Sequence, residues 1–444
     1  MNSDWRIIPL CEIVSFRTGR LDSNAAEEGG IFPFFTCSPS TLAINKYAFD
    51  DEAVLLAGNN ANGVFPVKYF KGKFNAYQRT YVITPIDKKR VSVRWLYFRI
   101  KHVTDELQQM SIGTATKFLT KKILDAYEVE LPPFEKQVRI ASILWSLQDK
   151  IELNHQTNQT LEQIAQAMFK SWFVDFEPVR AKIAANIAGE NVQRAAMAAI
   201  SGKNQAALDQ LEQQHPEQYQ QLQATADLFP DDLIDSELGE IPEGWKVKTL
   251  SKTIKIIGGG TPKRSETSYW GGTIPWFSVR DVPAESDIFV IDTTEKITET
   301  GMQKSSTKLL PKGTTIITAR GTVGKLALVA TPMCMNQSCY GIEAAKGIGP
   351  YFNFFNLREA IGTLLQNTHG AVFDTITTQT FESYSMAVAS RELIQAFDEL
   401  VEPLLKKVEQ NIHETTGISE LRDTLLPKLL SGELSDYARI EVHS

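Results

Sequence analysis

Residues 132–173 read PPFEKQVRIASILWSLQDKIELNHQTNQTLEQIAQAMFKSWF. Two prolines stand at the front and none inside, and Leu147, Ile151, Asn154, Asn158, Leu161, Ala165 and Met168 recur by fours and threes. That spacing lays one stripe along one face of an α-helix, in the manner of a heptad seam. About forty residues at about 1.5 Å each make a rod of roughly 60 Å. Alone, such a rod could not shield its apolar stripe.

A second stretch supplies the cover. Leu404, Val408, Asn411, Thr415, Ile418, Arg422 and Leu425 repeat the spacing, each 257 residues after its counterpart. Arg422 breaks a strict seam, although Leu421 beside it can take over in a straight helix, and Pro403 and Gly417 are expected to kink or shorten this second rod. Paired antiparallel, the rods shield each other, with Asn154 against Thr415 and Asn158 against Asn411 as polar contacts that set register. Separate packing of each helix on its own domain is the alternative.

The offset extends beyond the helices. GTATKFLTKKI (113–123) is echoed by GAVFDTITTQTF (370–381), so that Gly113 answers Gly370, Leu119 answers Ile376, Thr120 answers Thr377 and Leu124 answers Phe381. Farther upstream, Gly63 answers Gly324, Asn75 answers Asn336, Trp5 answers Trp245 and Leu10 answers Leu250, with offsets that shift as loop insertions require. The order of landmarks describes an internal duplication, each half a globular domain followed by a long helix.

Both globular parts carry short β-like runs punctuated by Gly, Asn, Asp and Pro: 5–13, 53–57, 64–69 and 79–83 in the first, 315–318, 326–329 and 338–342 in the second. Helical periodicity occupies 94–110 in the first and begins near Tyr351 in the second. The expected class is α+β: two mixed α/β domains, 1–130 and 244–389, separated by long antiparallel helices, 131–176 and 390–432, with pseudo-two-fold duplication. An Ala- and Gln-rich connector, 177–243, reads as short surface helices broken at Gly189, Gly202 and Pro216, and 433–444 as a tail.

The net charge of -7 is unevenly spread. The two globular parts hold 17 Lys+Arg against 14 Asp+Glu and 15 against 11, whereas the connector holds 4 against 12. A partner touching one domain meets that domain's own mildly basic charge, which permits DNA binding without demanding it.

Catalytic and membrane signatures are missing from the sequence. It contains no GxxxxGK[ST] phosphate loop, its six histidines are scattered, and its four cysteines lack metal spacing and fit a reducing cytoplasm. No apolar stretch approaches twenty residues, and the first residues, MNSDWRIIPLCEI, are unlike a signal peptide. In LPPFE (131–135), Leu131 stands where amino-methylating enzymes place Asn or Asp; it offers no acceptor for an exocyclic amine, so the prolines serve as a rigid start to the helix.

What remains is a set of loops rich in amides and cations. Asn and Gln can bridge adenine edges, Arg can grip guanine, and Lys with Thr can hold phosphates. The candidates are Asn59, Asn60, Lys73, Asn75, Gln78, Arg79 and Lys117 in the first part, and Arg264, Arg280, Arg320, Thr322, Lys325, Asn336 and Gln337 in the second. Each is also explicable singly as a solvated cation or a turn-forming amide.

The chain resembles the specificity subunits of type I restriction-modification systems. The resemblance rests on LPPFEKQVRIASILWSLQDKIELNHQTNQTLEQIAQAMFKSWFVDFEPV (131–179), DSELGEIPEGW (235–245), GTVGKLALV (321–329) with MNQS (335–338), and LRDTLLPKLLSGEL (421–434). It implies two target recognition domains, each reading half of a bipartite DNA sequence, with the helices as a ruler and no catalysis or cofactor in this chain. It further implies two modification subunits that use S-adenosylmethionine to methylate adenine N6, and restriction subunits that use ATP and magnesium. By the same resemblance Phe134, Gln137, Phe173, Phe176, Leu429 and Leu430 fall in regions that would contact partner subunits. Residues 321–325 match a recurring GxxG loop, from which the first domain departs with Asn60, Ala61, Asn62, Gly63 and Val64. The resemblance gives no role for the long connector. A free-standing DNA-binding or scaffold protein, and an enzyme with an unrecognised site in the basic loops, are the competing readings.

Overall fold

The computed structural model describes residues 5–61, 63–114, 116–284, 287–366 and 375–434. The chain divides into two compact units, Met1–Glu152 with Thr415–Ser444, and Leu153–Glu414. Both boundaries fall inside long helices, Phe134–Phe173 and Arg391–Leu430. The architecture is two mixed α/β sheet regions linked by two long helices that pack together.

In the first unit a six-stranded sheet is ordered Val14–Thr18, Thr80–Pro85, Phe49–Ala57, Val67–Ala76, Phe32–Phe35, Leu42–Ile44. Its central strand contains the run AVLLA because both faces are covered. Val54 and Leu56 pack with Trp95, Phe98 and the helix residues Ile140 and Leu144, while Ala53 and Leu55 face a second cluster with Phe35 and Phe74. The expected helix over 94–110 is divided into Val93–His102 and Thr104–Met110.

The second unit repeats the device. A five-stranded sheet is ordered Ile254–Gly258, Cys339–Ala344, Thr315–Thr318, Leu326–Val329, Phe289–Val290. Ile317 and Leu328 face the helix-bearing core, whereas Ile316, Ala327 and Val329 face Phe277 and Met333.

The duplication is written in the backbone. Arg6–Pro9 pairs antiparallel with Glu128–Leu131, and Lys246–Thr249 pairs antiparallel with Ser385–Val388. Leu10 N–H donates to the Tyr127 carbonyl and Leu250 N–H to the Tyr384 carbonyl, both at 2.8 Å. Thr120 and Thr377 are both N-cap residues, and Leu124 and Phe381 behind them are buried. Gly63 and Gly324 both take left-handed conformations, φ 71° and 84°. Asn75 and Asn336 do not correspond, because Asn75 lies inside its strand opposite Phe34 and Asn336 follows Cys334–Met335. Gly370 lies outside the described residues, as do Asn62, His369, His443 and residues 435–444 of the tail.

The two long helices have equal length, 40 residues. Pro403 and Gly417 therefore do not shorten the second one: packing overrides local propensity. Within the second unit the helices run antiparallel. Asn411 Nδ2 donates to Asn158 Oδ1 at 2.9 Å, and farther along Trp172 meets Phe397 at 5.8 Å between ring centres. Asn154 Nδ2 donates to Glu414 Oε2 at 3.0 Å and to the Asn411 carbonyl at 3.4 Å. Within the first unit Arg422 Nη1 donates to Gln148 Oε1 at 2.9 Å, while Leu429 and Leu430 join the core with Ile140 and Leu144.

The seam departs from strict heptads. Ile151, Asn154, Asn158, Ala165, Val408 and Asn411 are buried as expected from spacing. Leu147, Leu161, Met168, Leu404, Thr415, Ile418 and Leu425 are only half-buried, and the deeply buried positions move to Glu162, Phe169 and Leu405. A helix of 3.6 residues per turn drifts from a 3.5-residue repeat by roughly 20° per heptad, which shifts the buried face one residue along. Leu421 does not take over from Arg422; it is 48% exposed, and the arginine is the residue turned inward.

The connector forms four helices, Glu177–Ala188, Val192–Ser201, Gln205–Gln214 and Pro216–Asp227. They are not merely a surface excursion. Val179, Ala196, Met197, Leu208 and Phe229 are buried in the same core as Trp172 and Phe173. Each large side chain so covered contributes about 1.5–3 kcal/mol.

Candidate nucleic-acid interface

In the second unit three loops leave one end of the five-stranded sheet. Residues 259–263 follow Gly258, 319–325 follow Thr318, and 336–338 precede Cys339; the ladder pairs Gly258 with Tyr340 and Thr318 with Cys339. The 321–325 loop closes on Thr318, whose Oγ1 accepts from Lys325 N at 2.9 Å and whose carbonyl accepts from Gly324 N at 2.8 Å. A Cβ on Gly324 would lie 3.2 Å from Leu365 on a left-handed backbone, so glycine is the residue that fits. Gly260 is tighter still, with Ser306 Oγ 2.3 Å from the position of a Cβ.

This corner brings several expected residues together. Arg320 and Thr322 are exposed on the loop, and Lys325 projects from its end. Arg320 and Lys325 have no side-chain hydrogen-bond or ion-pair partner among the described residues. Gln337 accepts from Thr261 Oγ1, and Asn336 Oδ1 accepts from Ser338 N at 3.0 Å, which uses it to shape the turn. Arg264 is committed elsewhere: it forks onto Glu295 and lies over Trp270, 3.8 Å from the ring centre. Arg280 also reaches Glu295, at 2.8 Å. The Arg264 guanidinium, with Arg280 adding to it, holds the Glu295 carboxyl below the usual range.

The matching corner of the first unit joins Asn59, Asn60, Arg79 and Lys117. Ala57 pairs with Thr80, while Asn59 pairs with Phe118 and Asn60 with Lys117. Arg79 lies over the Phe118 ring at 5.4 Å, and Asn59 Oδ1 accepts from Cys37 Sγ at 3.0 Å. Gln78 donates to Asp22 at 3.3 Å. Lys73 stands opposite Asp50, toward the other end of the strand Phe49–Ala57, with its ammonium over Tyr47. Asn75 is a correction: it is 4% exposed, its Nδ2 donates to the Lys46 carbonyl at 2.9 Å and its Oδ1 accepts from Ala76 N, so its amide serves the scaffold.

The partner-contact candidates also require correction. Gln137 is fully buried, its Oε1 accepting from Ser92 N and its Nε2 donating to the Arg90 and Pro132 carbonyls. Phe173, Phe176, Leu429 and Leu430 are buried in the unit cores, and Phe134 alone of the six is exposed. Phe176 adopts φ 55° as the residue that starts the helix Glu177–Ala188, three residues beyond the end of the first long helix, while its ring packs 5.5 Å from Trp245.

Glu295 and the two indoles that flank Arg264 were not legible from the sequence, since Glu295 lies 31 and 15 residues from its arginines and no local pattern links them. Burial pushes the Cys339 thiol up to about 12 and raises that of Cys334, which keeps both protonated. Among the described residues no group of three or more His, Cys, Asp or Glu could hold a metal, and no helix is long and apolar enough to cross a membrane.

A duplicated chain presenting amides and cations from matching sheet corners has the design of a nucleic-acid recognition protein. The family model for the "Type I restriction modification DNA specificity domain" matches residues 2–163 and 242–390. The chain is 35% identical over 327 residues to the type I restriction enzyme HindI specificity subunit of Haemophilus influenzae, covering 71% of each. It is 40% identical over 165 residues to the EcoDI specificity subunit of Escherichia coli, covering 37% of this chain and 35% of that one. The type I S subunit from M. genitalium superimposes with a TM-score of 0.57 at 14% identity, covering 96% of both chains, and shares the fold. The chain belongs to the type I restriction-modification specificity subunits, the non-catalytic members of their complexes.

Proposed function

We propose that the chain reads a bipartite, asymmetric site in double-stranded DNA, one half through each recognition domain, and directs adenine-N6 methylation and cleavage by partner subunits. The observation that carries this reading is the double match of the specificity-domain model, once in each half of a duplicated chain. In this reading 1–130 and 244–389 are the recognition domains and 131–176 and 390–432 the spacer helices. Two modification subunits supply S-adenosylmethionine chemistry, restriction subunits supply ATP- and magnesium-dependent cleavage, and the complex works in the cytoplasm.

In each corner the cations would hold register on the backbone and the neighbouring amides would read base edges. Flipping and methylating the adenine belongs to the modification subunits. Single-molecule mapping of N6-methyladenine in cells expressing the chain together with a type I modification subunit tests the reading. A two-part motif with a fixed gap, lost when the chain is omitted, is expected; methylation unchanged by omission would favour a free-standing DNA-binding or scaffold protein.

A further inference from the structure

We infer that Glu295 is a positioning residue that anchors on Arg264 and presents Arg280 as a preoriented guanidinium for a guanine edge. This rests on the DNA-reading function proposed above. Glu295 is the acceptor for two arginines, with Arg264 Nη2 3.1 Å and Arg280 Nη2 2.8 Å from Oε2, and Arg264 Nη1 on Oε1.

The two arginines are not equivalent. Arg264 has its fork filled by the carboxylate and its face covered, 3.8 Å from the centre of Trp270 and 5.0 Å from that of Trp276. Both indoles are themselves tied to the same loop, Trp276 Nε1 donating to the Gly260 carbonyl at 3.0 Å and Trp270 Nε1 to that of Lys263 at 3.3 Å. Arg280 keeps 67% of its side chain exposed, and Glu295 occupies one edge of a group with five donors.

The backbone beneath Arg280 is held as firmly. Asp281 Oδ2 accepts from Ser278 N and Oγ, both at 2.8 Å, and its Oδ1 accepts from Thr294 N at 2.7 Å. Those bonds outweigh burial and keep the Asp281 carboxyl below its usual range. A long side chain restrained before contact loses less freedom on binding. The two guanidinium groups offset the Glu295 and Asp281 carboxylates, so the anchor turns no net negative charge toward the phosphate backbone. The remaining fork of Arg280 matches guanine O6 and N7.

The test maps methylated motifs in cells carrying the full complex with wild-type chain, Arg280→Ala, Arg280→Lys, Glu295→Gln or the double variant Arg280→Ala/Glu295→Gln, and records the melting temperature of each purified complex. Arg280→Ala is expected to lower selectivity for one guanine about 10- to 100-fold. Glu295→Gln should relax the same position roughly 3- to 10-fold, and the double variant should match Arg280→Ala because Glu295 acts through Arg280. Arg280→Lys keeps charge without the fork and should not restore selectivity. A motif unchanged in Glu295→Gln, a change at a different position, or a uniform fall in methylation as expected for a phosphate contact or a merely structural role would overturn the inference. If the wild-type chain directs no two-part motif, it is the functional reading that fails.

Discussion

Asn158 sits on the helix seam at 1% exposure and joins three elements. Its Oδ1 accepts from Asn411 Nδ2 at 2.9 Å and its Nδ2 donates to Asp287 Oδ1 at 3.0 Å. Leucine at this position preserves most of the volume and removes both bonds. Asn411, also 1% exposed, then holds a donor that water does not reach, which costs about 1–3 kcal/mol. Asp287 loses a charge-assisted bond worth roughly 1.5–3 kcal/mol, at the low end because its side chain retains 16% exposure. Allowing about 1 kcal/mol for the added apolar burial, Asn158→Leu should destabilise the second unit by about 2–4 kcal/mol. Asn411→Leu strands one acceptor and should cost about 1–2 kcal/mol. With both leucines present the stranded pair is gone, so the double variant should be less unstable than the two single costs summed, by about 1–2 kcal/mol. Urea denaturation of the four proteins, followed through the near-ultraviolet dichroism of the tryptophans, measures this cycle. Strict additivity, or an Asn158→Leu midpoint equal to wild type, would refute the idea of a coupled polar layer.

Gln137→Leu should destabilise the first unit by about 2–4 kcal/mol, because the buried Pro132 carbonyl loses its partner while Ser92 and Arg90 can recruit some water; limited proteolysis and calorimetry check it. The Asp398 carboxyl is pushed up to about 6 by burial, against the Phe352 and Tyr351 N–H groups that favour its charged form. Its folded pKa is above the unfolded value, so its contribution is full below about pH 4 and lost as pH rises through about 6: from pH 5 to 8 the wild type should lose about 1.4 kcal/mol that Asp398→Asn does not, measured by denaturation at both pH values. Arg320→Ala should leave complex assembly intact, weaken DNA binding about 3- to 10-fold and lower the salt slope by about one, as read by fluorescence anisotropy across a salt series. Ile151→Asp with Val408→Asp places charges at two buried seam positions and should disrupt the helices and partner assembly more than the recognition sheets, as seen by limited proteolysis and size-exclusion chromatography.

The elements most legible in the sequence are those set by local pattern. The 257-residue repeat anticipates matching caps at Thr120 and Thr377 because a threonine before a buried apolar residue caps the same way in both copies. The runs 53–57, 315–318 and 326–329 form strands where expected, since short β-branched and aliphatic runs between turn residues have few other uses. Loop composition singled out the stretches that carry Arg79 and Arg320, and the strand pairing is what sets each of them at the end of a sheet.

Burial and pairing were not legible in the same way. Periodicity names a face of a helix but not how far that face drifts, so Phe169 and Leu405 replaced Met168 and Leu404 as the deeply buried positions. Composition marked the connector as polar, and only packing showed Met197 and Phe229 inside the core. Asn75, Gln137 and Arg264 have the residue types of a binding surface, yet their polar groups are satisfied by the Lys46 carbonyl, by the Ser92 N–H with the Arg90 and Pro132 carbonyls, and by Glu295. The sequence by itself determined the repeat, the helices and the family, because these follow from order and spacing along the chain. Which polar side chains remain available to DNA was decided by the tertiary structure, because a hydrogen-bonding group is spent or free according to neighbours that the fold brings from tens of residues away.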